Sequence, residues 1–365
     1  MAQSLWRESV TRLNKYVPGK PIEEVKKEYG LEQVIRLASN ENPYGPSQKA
    51  VQAMLEALHD IHIYPEPSCN GLREKLAERY GIDSEQIVVG NGADHIIRLI
   101  GAAYLNPGDE VIYCTPTFPI YRMITLLMGG VPIEIPVTEE YVFDLEAILD
   151  KVNRKTKLIF ICNPNNPTGT IVKPDDFKEF LIQLPGNVIV AIDEAYVEYV
   201  PDNQKIVGID LINEGYPVIL IRTFSKLYGL AGARIGYMMA RKEFILPVQT
   251  VREVFAVNRI AHVGAIASLD DEEYKKFIIN MNREEMQKLE RNLKLLGCDV
   301  YPSYANFLFV NFKQDSQQIF HKLMKQGIII RPCGPWGLNT FARITIGTPE
   351  QNLKLIEAMQ KLFLN

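Results

Sequence analysis

The runs KLIFIC (157–162), NVIVAID (187–193) and PVILIRTF (217–224) are apolar and rich in β-branched residues, with no polar alternation. A strand with one wet face alternates, so a run without alternation is buried on both faces, as in a mostly parallel sheet covered by helices. IVVG (87–90), EVIYC (110–114) and RIGYMMA (234–240) read the same way. Between these runs, GADHIIRLIGAAYL (92–105) and PDDFKEFLIQL (174–184) read as helices, the second with Pro174 in its first turn, where the missing N–H costs nothing. Strands alternating with helices predict an α/β layered unit.

The pattern changes near residue 270. DDEEYKKFIINMNREEMQKLERNLKLLG (270–297) is a long amphipathic helix of bridging type. NFLFVNF (306–312), a helix over 316–326, GIIIRP (327–332), FARITIG (341–347) and a last helix over 349–363 follow. Short strands mixed with helices predict a smaller α+β unit. The expected division is a large domain over 36–270 and a small domain built from 1–35 and 271–365.

Composition removes several classes of function. Forty basic against 44 acidic residues leave a net charge of −4, with no polybasic run to mark nucleic acid or a membrane surface. The five cysteines are scattered, and no Cys-x-x-Cys pair predicts a zinc site or disulfide framework; Cys162, closing an apolar run, reads as a buried thiol. His59 and His62 lack partners for a metal. The opening MAQSLWRESV has no signal-peptide core and no membrane-length apolar run occurs, so a cytoplasmic protein is expected.

In α/β sheets chemistry collects at the carboxyl ends of strands. Here those ends carry Asn91-Gly92-Ala93-Asp94, the turn NPNNPTG (163–169), Asp193-Glu194-Ala195-Tyr196, and Ser225-Lys226. Singly, each has a plain alternative: Asp193 as a turn or cap residue, NPNNPTG as punctuation, GNGAD as an empty loop. Together they suit a pyridine cofactor that acts as an electron sink. Such a ring needs a carboxylate at its nitrogen, a lysine at its aldehyde and polar groups at its hydroxyl. Its phosphate needs amides at a helix start, hydroxyls and a cation.

On YVPGKPIEEVKKEYG (16–30), LASNENPYGPS (37–47), NPNNPTG, DEAYVEY (193–199), TFSKLYGLAGARIGY (223–237) and RITIGTPEQN (343–352), the chain resembles the fold-type I pyridoxal 5'-phosphate aminotransferases. Within them it is similar to the histidinol-phosphate aminotransferase family. The resemblance implies a seven-stranded, mainly parallel sheet in the large domain, and a homodimer. It implies that Lys226 is the Schiff-base lysine and proton shuttle, that Asp193 pairs with the pyridinium nitrogen, and that Tyr196 and Asn166 bond the ring hydroxyl. Thr223, Ser225 and Arg234, with the backbone of Gly92, Ala93 and Asp94, would hold the phosphate. Phe118 in TPTFPIY would stack on the ring, and Tyr64 would reach the neighbouring subunit's cofactor phosphate. Arg331 and Arg343, with Tyr16 and Asn166, would bind substrate: an amino donor, histidinol phosphate, and then 2-oxoglutarate in a ping-pong reaction.

Gly92-Ala93-Asp94-His95 departs from the family's common Gly-Ser-Asp-Glu, losing one hydroxyl; His95 reads as a supporting rather than a catalytic histidine. PCGPWGLNT (332–340), between the two arginines, is also individual. An aromatic-amino-acid aminotransferase and a phosphothreonine decarboxylase are the alternatives on the same machinery. A cofactor-sensing transcription regulator needs a DNA-binding domain for which the length leaves no room.

Overall fold

The structure is a computed structural model that describes residues 5–13 and 20–364. Tyr16 lies outside the described residues. Among the described residues thirteen strands are formed: β1 Ile35–Arg36, β2 Ile87–Gly90, β3 Glu110–Thr115, β4 Val131–Pro136, β5 Thr156–Cys162, β6 Ile189–Asp193, β7 Val218–Thr223, β8 Gly236–Ala240, β9 Asp299–Tyr301, β10 Phe307–Asn311, β11 Ile328–Ile329, β12 Arg331–Pro332 and β13 Phe341–Thr345.

The apolar runs assemble into a seven-stranded sheet of order β2-β8-β7-β6-β5-β3-β4. Strands β3 to β7 pair in parallel, and β8 is antiparallel to both β7 and β2. The carboxyl ends of β2, β5, β6 and β7 therefore lie along one edge of the sheet. That α/β architecture follows from strands buried on both faces, and Phe160, Phe177, Phe180 and Tyr121 fill the layers around it.

Among the features not foreseen, two have a direct physical reason. Strand β4, VPIEIP, carries Pro132 and Pro136, which argue against a ladder position; it is accommodated because it is the edge strand, where missing N–H groups face away from a partner. The apolar run 327–332 is not one strand. Ile328 and Ile329 pair in parallel with Ile35 and Arg36, whereas Arg331 and Pro332 pair antiparallel with Arg343 and Ala342. A uniformly apolar run has no periodicity to mark that break.

A four-stranded sheet, β12-β13-β10-β9, has its own core of Leu308, Val310, Ile344, Leu355 and Met359. The helix Glu272–Leu295 serves both cores: Ile278 packs with the large sheet, Leu289 and Leu293 with the small one. Two clasps join the units. Tyr141 inserts its ring among Tyr301, Phe309 and Phe341, with centroid separations of 4.9, 5.0 and 5.5 Å. Trp336 donates its indole N–H to the carbonyl of Thr117 at 2.8 Å. Gly169 closes a third approach: a Cβ there would lie 2.3 Å from Ser303 Oγ, and its carbonyl accepts from the amide of Tyr304 at 2.8 Å. Among the described residues no helix is long and apolar enough to cross a membrane.

At the end of β6 consecutive side chains diverge, as strand geometry requires. Asp193 turns toward Tyr121, while Glu194 pairs with Arg222 at 2.7 Å. Arg222 also donates to the Tyr80 hydroxyl at 2.7 Å, which lies 2.8 Å from that of Tyr237. Removing one member of a buried pair strands the other charge. Glu194→Ala is therefore expected to cost about 3–5 kcal/mol in urea unfolding, with the denaturant slope unchanged. A loss below 1 kcal/mol would show that water reaches Arg222 freely.

Candidate active site

Asp193 ends a fully buried strand and is 3% exposed. Its Oδ2 accepts from the Tyr121 hydroxyl at 2.7 Å and its Oδ1 from the amide of Ala195 at 3.1 Å. Both partners are neutral. Burial pushes its carboxyl up to about 6, the neutral hydrogen bonds oppose this, and the carboxylates of Asp94 and Glu194 add to the rise. Tyr121 is itself held by stacking on Phe160, ring centroids 4.5 Å apart. Phe118, on the same segment, meets Tyr121 edge-on at 6.0 Å.

Lys226 follows β7. Its Nζ lies 3.3 Å from the carbonyl of Ser39 and 5.5 Å from the centroid of the Tyr196 ring. Burial lowers its pKa to about 8, helped by the Arg343 guanidinium. A lysine so tuned is neutral often enough near pH 8 to accept a proton. Tyr196 is buried, and its hydroxyl accepts from the Asn40 side-chain amide at 2.9 Å.

Asn40 is the residue that sequence reasoning missed here. Its backbone is left-handed, φ 55°, a conformation asparagine tolerates better than most residues. Its amide N–H donates to Thr345 Oγ1 at 2.9 Å, Thr345 donates back to Asn40 Oδ1 at 3.1 Å, and Asn306 donates to its carbonyl at 3.0 Å. LASNENPYGPS contained it, but nothing local marks partners 305 residues away. Tyr121 was likewise quoted within TPTFPIY without its role beside Asp193.

The phosphate-type groups converge at the start of the helix Ala93–Tyr104, whose N-cap is Gly92 with φ 85°. A Cβ on Gly92 would lie 2.7 Å from Arg234 Nη2, and one on Gly236 would lie 2.7 Å from the amide nitrogen of Ala93. Gly236 sits in register between Thr223 and Gly90, so β8 draws the Thr223 end of β7 to the helix start. Thr223 Oγ1 donates to Ser225 Oγ at 2.9 Å. Arg234, exposed and also left-handed with φ 62°, donates to the carbonyl of Ala231 at 3.1 Å and lies 3.8 Å from Asp94 Oδ2. Helix amides, two hydroxyls and a guanidinium make a cradle suited to a phosphate dianion.

Asn166 Oδ1 accepts from Arg343 Nη1, and Arg343 Nη2 donates to the carbonyl of Ala38. Arg343 is buried and lies 5.5 Å over the Phe307 ring. Arg331, its direct partner across β12 and β13, lies 5.9 Å over Trp336. Tyr64 stands apart: it is 76% exposed and stacks on Phe255 at 4.5 Å. All five cysteines are buried free thiols, and burial pushes Cys162 up to about 12.

These residues fit pyridoxal phosphate on structural grounds. A buried carboxylate bonded only to neutral donors lacks a cation that a pyridinium nitrogen supplies, and the glycine-lined cradle leaves the helix amides open. In protein stripped of cofactor the sign of the pH effect follows. Asp193 holds its proton up to about 6 when folded, against an ordinary carboxyl near 3.9. Between those values the native state binds more protons, so its contribution falls as pH rises through that window and is fully lost above it. The stability of the parent relative to Asp193→Asn is expected to drop by roughly 2 kcal/mol between pH 4 and 7, read by urea unfolding. A pH-independent difference would mean that Asp193 ionises normally.

The family model for aminotransferase class I and II matches residues 32–359. A histidinol-phosphate aminotransferase of Caldicellulosiruptor saccharolyticus is 41% identical over 358 residues, covering 98% of this chain and 100% of the relative. One from Moorella thermoacetica is 43% identical over 357 residues, covering 98% and 92%. Among solved structures, the histidinol-phosphate aminotransferase of Sinorhizobium meliloti in complex with pyridoxal-5'-phosphate superposes with a TM-score of 0.90, at 29% identity and 99% coverage of both chains. The L-threonine-O-3-phosphate decarboxylase of Porphyromonas gingivalis, TM-score 0.79 at 23% identity, shares the fold. With a family model spanning most of the chain, near full-length relatives above 40% identity and a cleft that fits the cofactor, this chain belongs to the class I and II aminotransferases, pyridoxal-phosphate enzymes, and within them to the histidinol-phosphate aminotransferase family.

Proposed function

We propose that the chain transfers the amino group of histidinol phosphate to 2-oxoglutarate, giving imidazole acetol phosphate and glutamate. The observation that carries the substrate assignment is the register of β12 and β13, where Arg331 and Arg343 are direct cross-strand partners. Opposed residues of an antiparallel pair share a face, and like charges there repel. Such a pair is stabilised by an anion between or beside the two guanidinium groups, and planar guanidinium suits both a phosphate ester and a carboxylate. Histidinol phosphate has no α-carboxylate, so its phosphate is the anionic handle; 2-oxoglutarate brings carboxylates to the same arginines.

The bound cofactor supplies an electron sink. In this reading Lys226 carries it and moves the proton from the amine-bearing carbon of the donor, aided by its lowered pKa. Asp193 would pair with the ring nitrogen, and Tyr196 and Asn166 would bond the ring hydroxyl. Phe118 would stack on the ring; Gly92, Ala93, Asp94, Thr223, Ser225 and Arg234 would hold the phosphate. Asn166 links cofactor to substrate through Arg343. The division into a large domain over 36–270 and a small one from 1–35 and 271–365 is supported by the two separate cores.

Assembly as a homodimer is supported by large apolar side chains left exposed at Leu58, Ile61, Tyr64, Leu246, Val254 and Phe255, of which Tyr64 and Phe255 stack on each other. Tyr64 would serve the neighbouring subunit's cofactor phosphate. A cytoplasmic location is supported by the five unpaired thiols.

Histidinol phosphate is expected to exceed histidinol and phenylalanine in kcat/KM, and Arg343→Gln or Arg331→Gln to weaken both half-reactions by roughly one to two decades. Equal use of histidinol and its phosphate would remove the substrate assignment, and a preference for phenylalanine would mark an aromatic aminotransferase. Borohydride is expected to fix the cofactor at Lys226 and nowhere else, as read by peptide mass. Hybrids of Lys226→Ala and Tyr64→Ala chains are expected to regain activity, since one intact site forms per dimer. Inactive hybrids of verified composition would place Tyr64 outside the partner's site.

A further inference from the structure

The helix that follows Gly92 begins with an unusual restraint. At its third position a glutamate or glutamine commonly reaches back to bond the amide ahead of the helix; here the residue is His95. His95 Nδ1 accepts the amide N–H of Asn91 at 3.0 Å. The ring proton is therefore on Nε2, which lies 2.7 Å from Glu253 Oε2 and donates to it. The imidazole is only 13% exposed, and its seat depends on Gly90, where a Cβ would lie 3.1 Å from Nδ1.

Glu253 belongs to the connection between the helices Lys242–Val251 and Arg259–Leu269. Its neighbour Arg252 donates Nε–H to the carbonyl of Val89 at 2.8 Å. The connection is thus pinned to β2 before Gly92 and, through His95, to the helix after it. Gly92 has no side chain to fix its φ of 85°, so its orientation rests on such neighbours: its own amide bonds to the carbonyl of Gly90 at 2.9 Å, and the Asn91 amide is held by His95. A glutamate at 95 would bond the same amide but set a negative charge beside an anion site and against Glu253. A neutral imidazole supplies the acceptor without that repulsion.

We propose that His95 is a positioning residue for the cofactor-phosphate cradle, holding the 91–92 backbone in place, with Glu253 setting its tautomer. This rests on the reading that the start of the helix Ala93–Tyr104 binds the cofactor's phosphate. The test is the Kd of pyridoxal phosphate for the cofactor-free chain, by absorbance titration, with the melting temperature of the same cofactor-free protein measured alongside. His95→Ala is expected to raise Kd roughly tenfold, the worth of one amide hydrogen bond. His95→Gln, which offers an acceptor to Asn91 and a donor to Glu253, is expected to stay near the parent. Glu253→Ala, an exposed change that leaves folding intact, is expected to raise Kd about threefold at constant melting temperature. Arg234→Ala is the control for the cradle. If Arg234→Ala weakens binding and neither His95→Ala nor Glu253→Ala does, the proposal is overturned and the cradle stands. Equal weakening by Ala and Gln at position 95 overturns it too, and if Arg234→Ala leaves Kd unchanged the cradle reading falls with it.

Discussion

Ending a central buried strand in a carboxylate exposes the fold to a large desolvation cost, and much of the cleft is arranged around meeting it. Asp193 lies in register between Cys162 and Ile221 of the adjacent strands, so neither neighbour supplies charge. Tyr121 and the amide of Ala195 give hydrogen bonds without neutralising it. The same dryness acts in the opposite direction on Lys226. Burial raises the acid and lowers the base, so both groups move toward their neutral forms from a common cause. A cleft poised this way suits a cationic ring nitrogen and a lysine that gives up its proton more easily than a solvated one.

The cleft belongs to neither unit alone. Asn166 and Tyr196 come from the ends of β5 and β6, while Arg343 and Thr345 come from β13. Asn40, from the stretch between, is bonded by both sides: Thr345 and Asn306 fix its backbone, and its side chain reaches Tyr196. The aromatic clasp at Tyr141 and the Trp336 hydrogen bond to Thr117 hold the two sheets where those contacts are possible.

How much of this was legible depended on whether the information was local. Burial on both faces is written in the composition of each run, so KLIFIC, NVIVAID and PVILIRTF located the large sheet. Strand direction is not: RIGYMMA looks like its neighbours yet runs antiparallel. The strand-end residues Asp193, Lys226 and Asn166 were singled out because their chemical types suit one cofactor. Asn40 and Tyr121 were not, since an amide and a phenol announce nothing until the fold supplies their partners. Glu253 was silent for the same reason: it stands 158 residues from the histidine it meets.

The link between Arg343 and Asn166 spans 177 residues, and that between Thr345 and Asn40 spans 305. A chain made from its amino end exposes the strand ends that carry Asp193 and Lys226 long before β13 emerges. Until then the lysine lacks the guanidinium that helps depress its pKa, and Asn40 lacks the hydroxyl that fixes its left-handed backbone. Contacts of such separation make the reactive cleft one of the last features completed during translation. A nascent or truncated chain that already carries the sheet has no finished pocket in which to activate a metabolite.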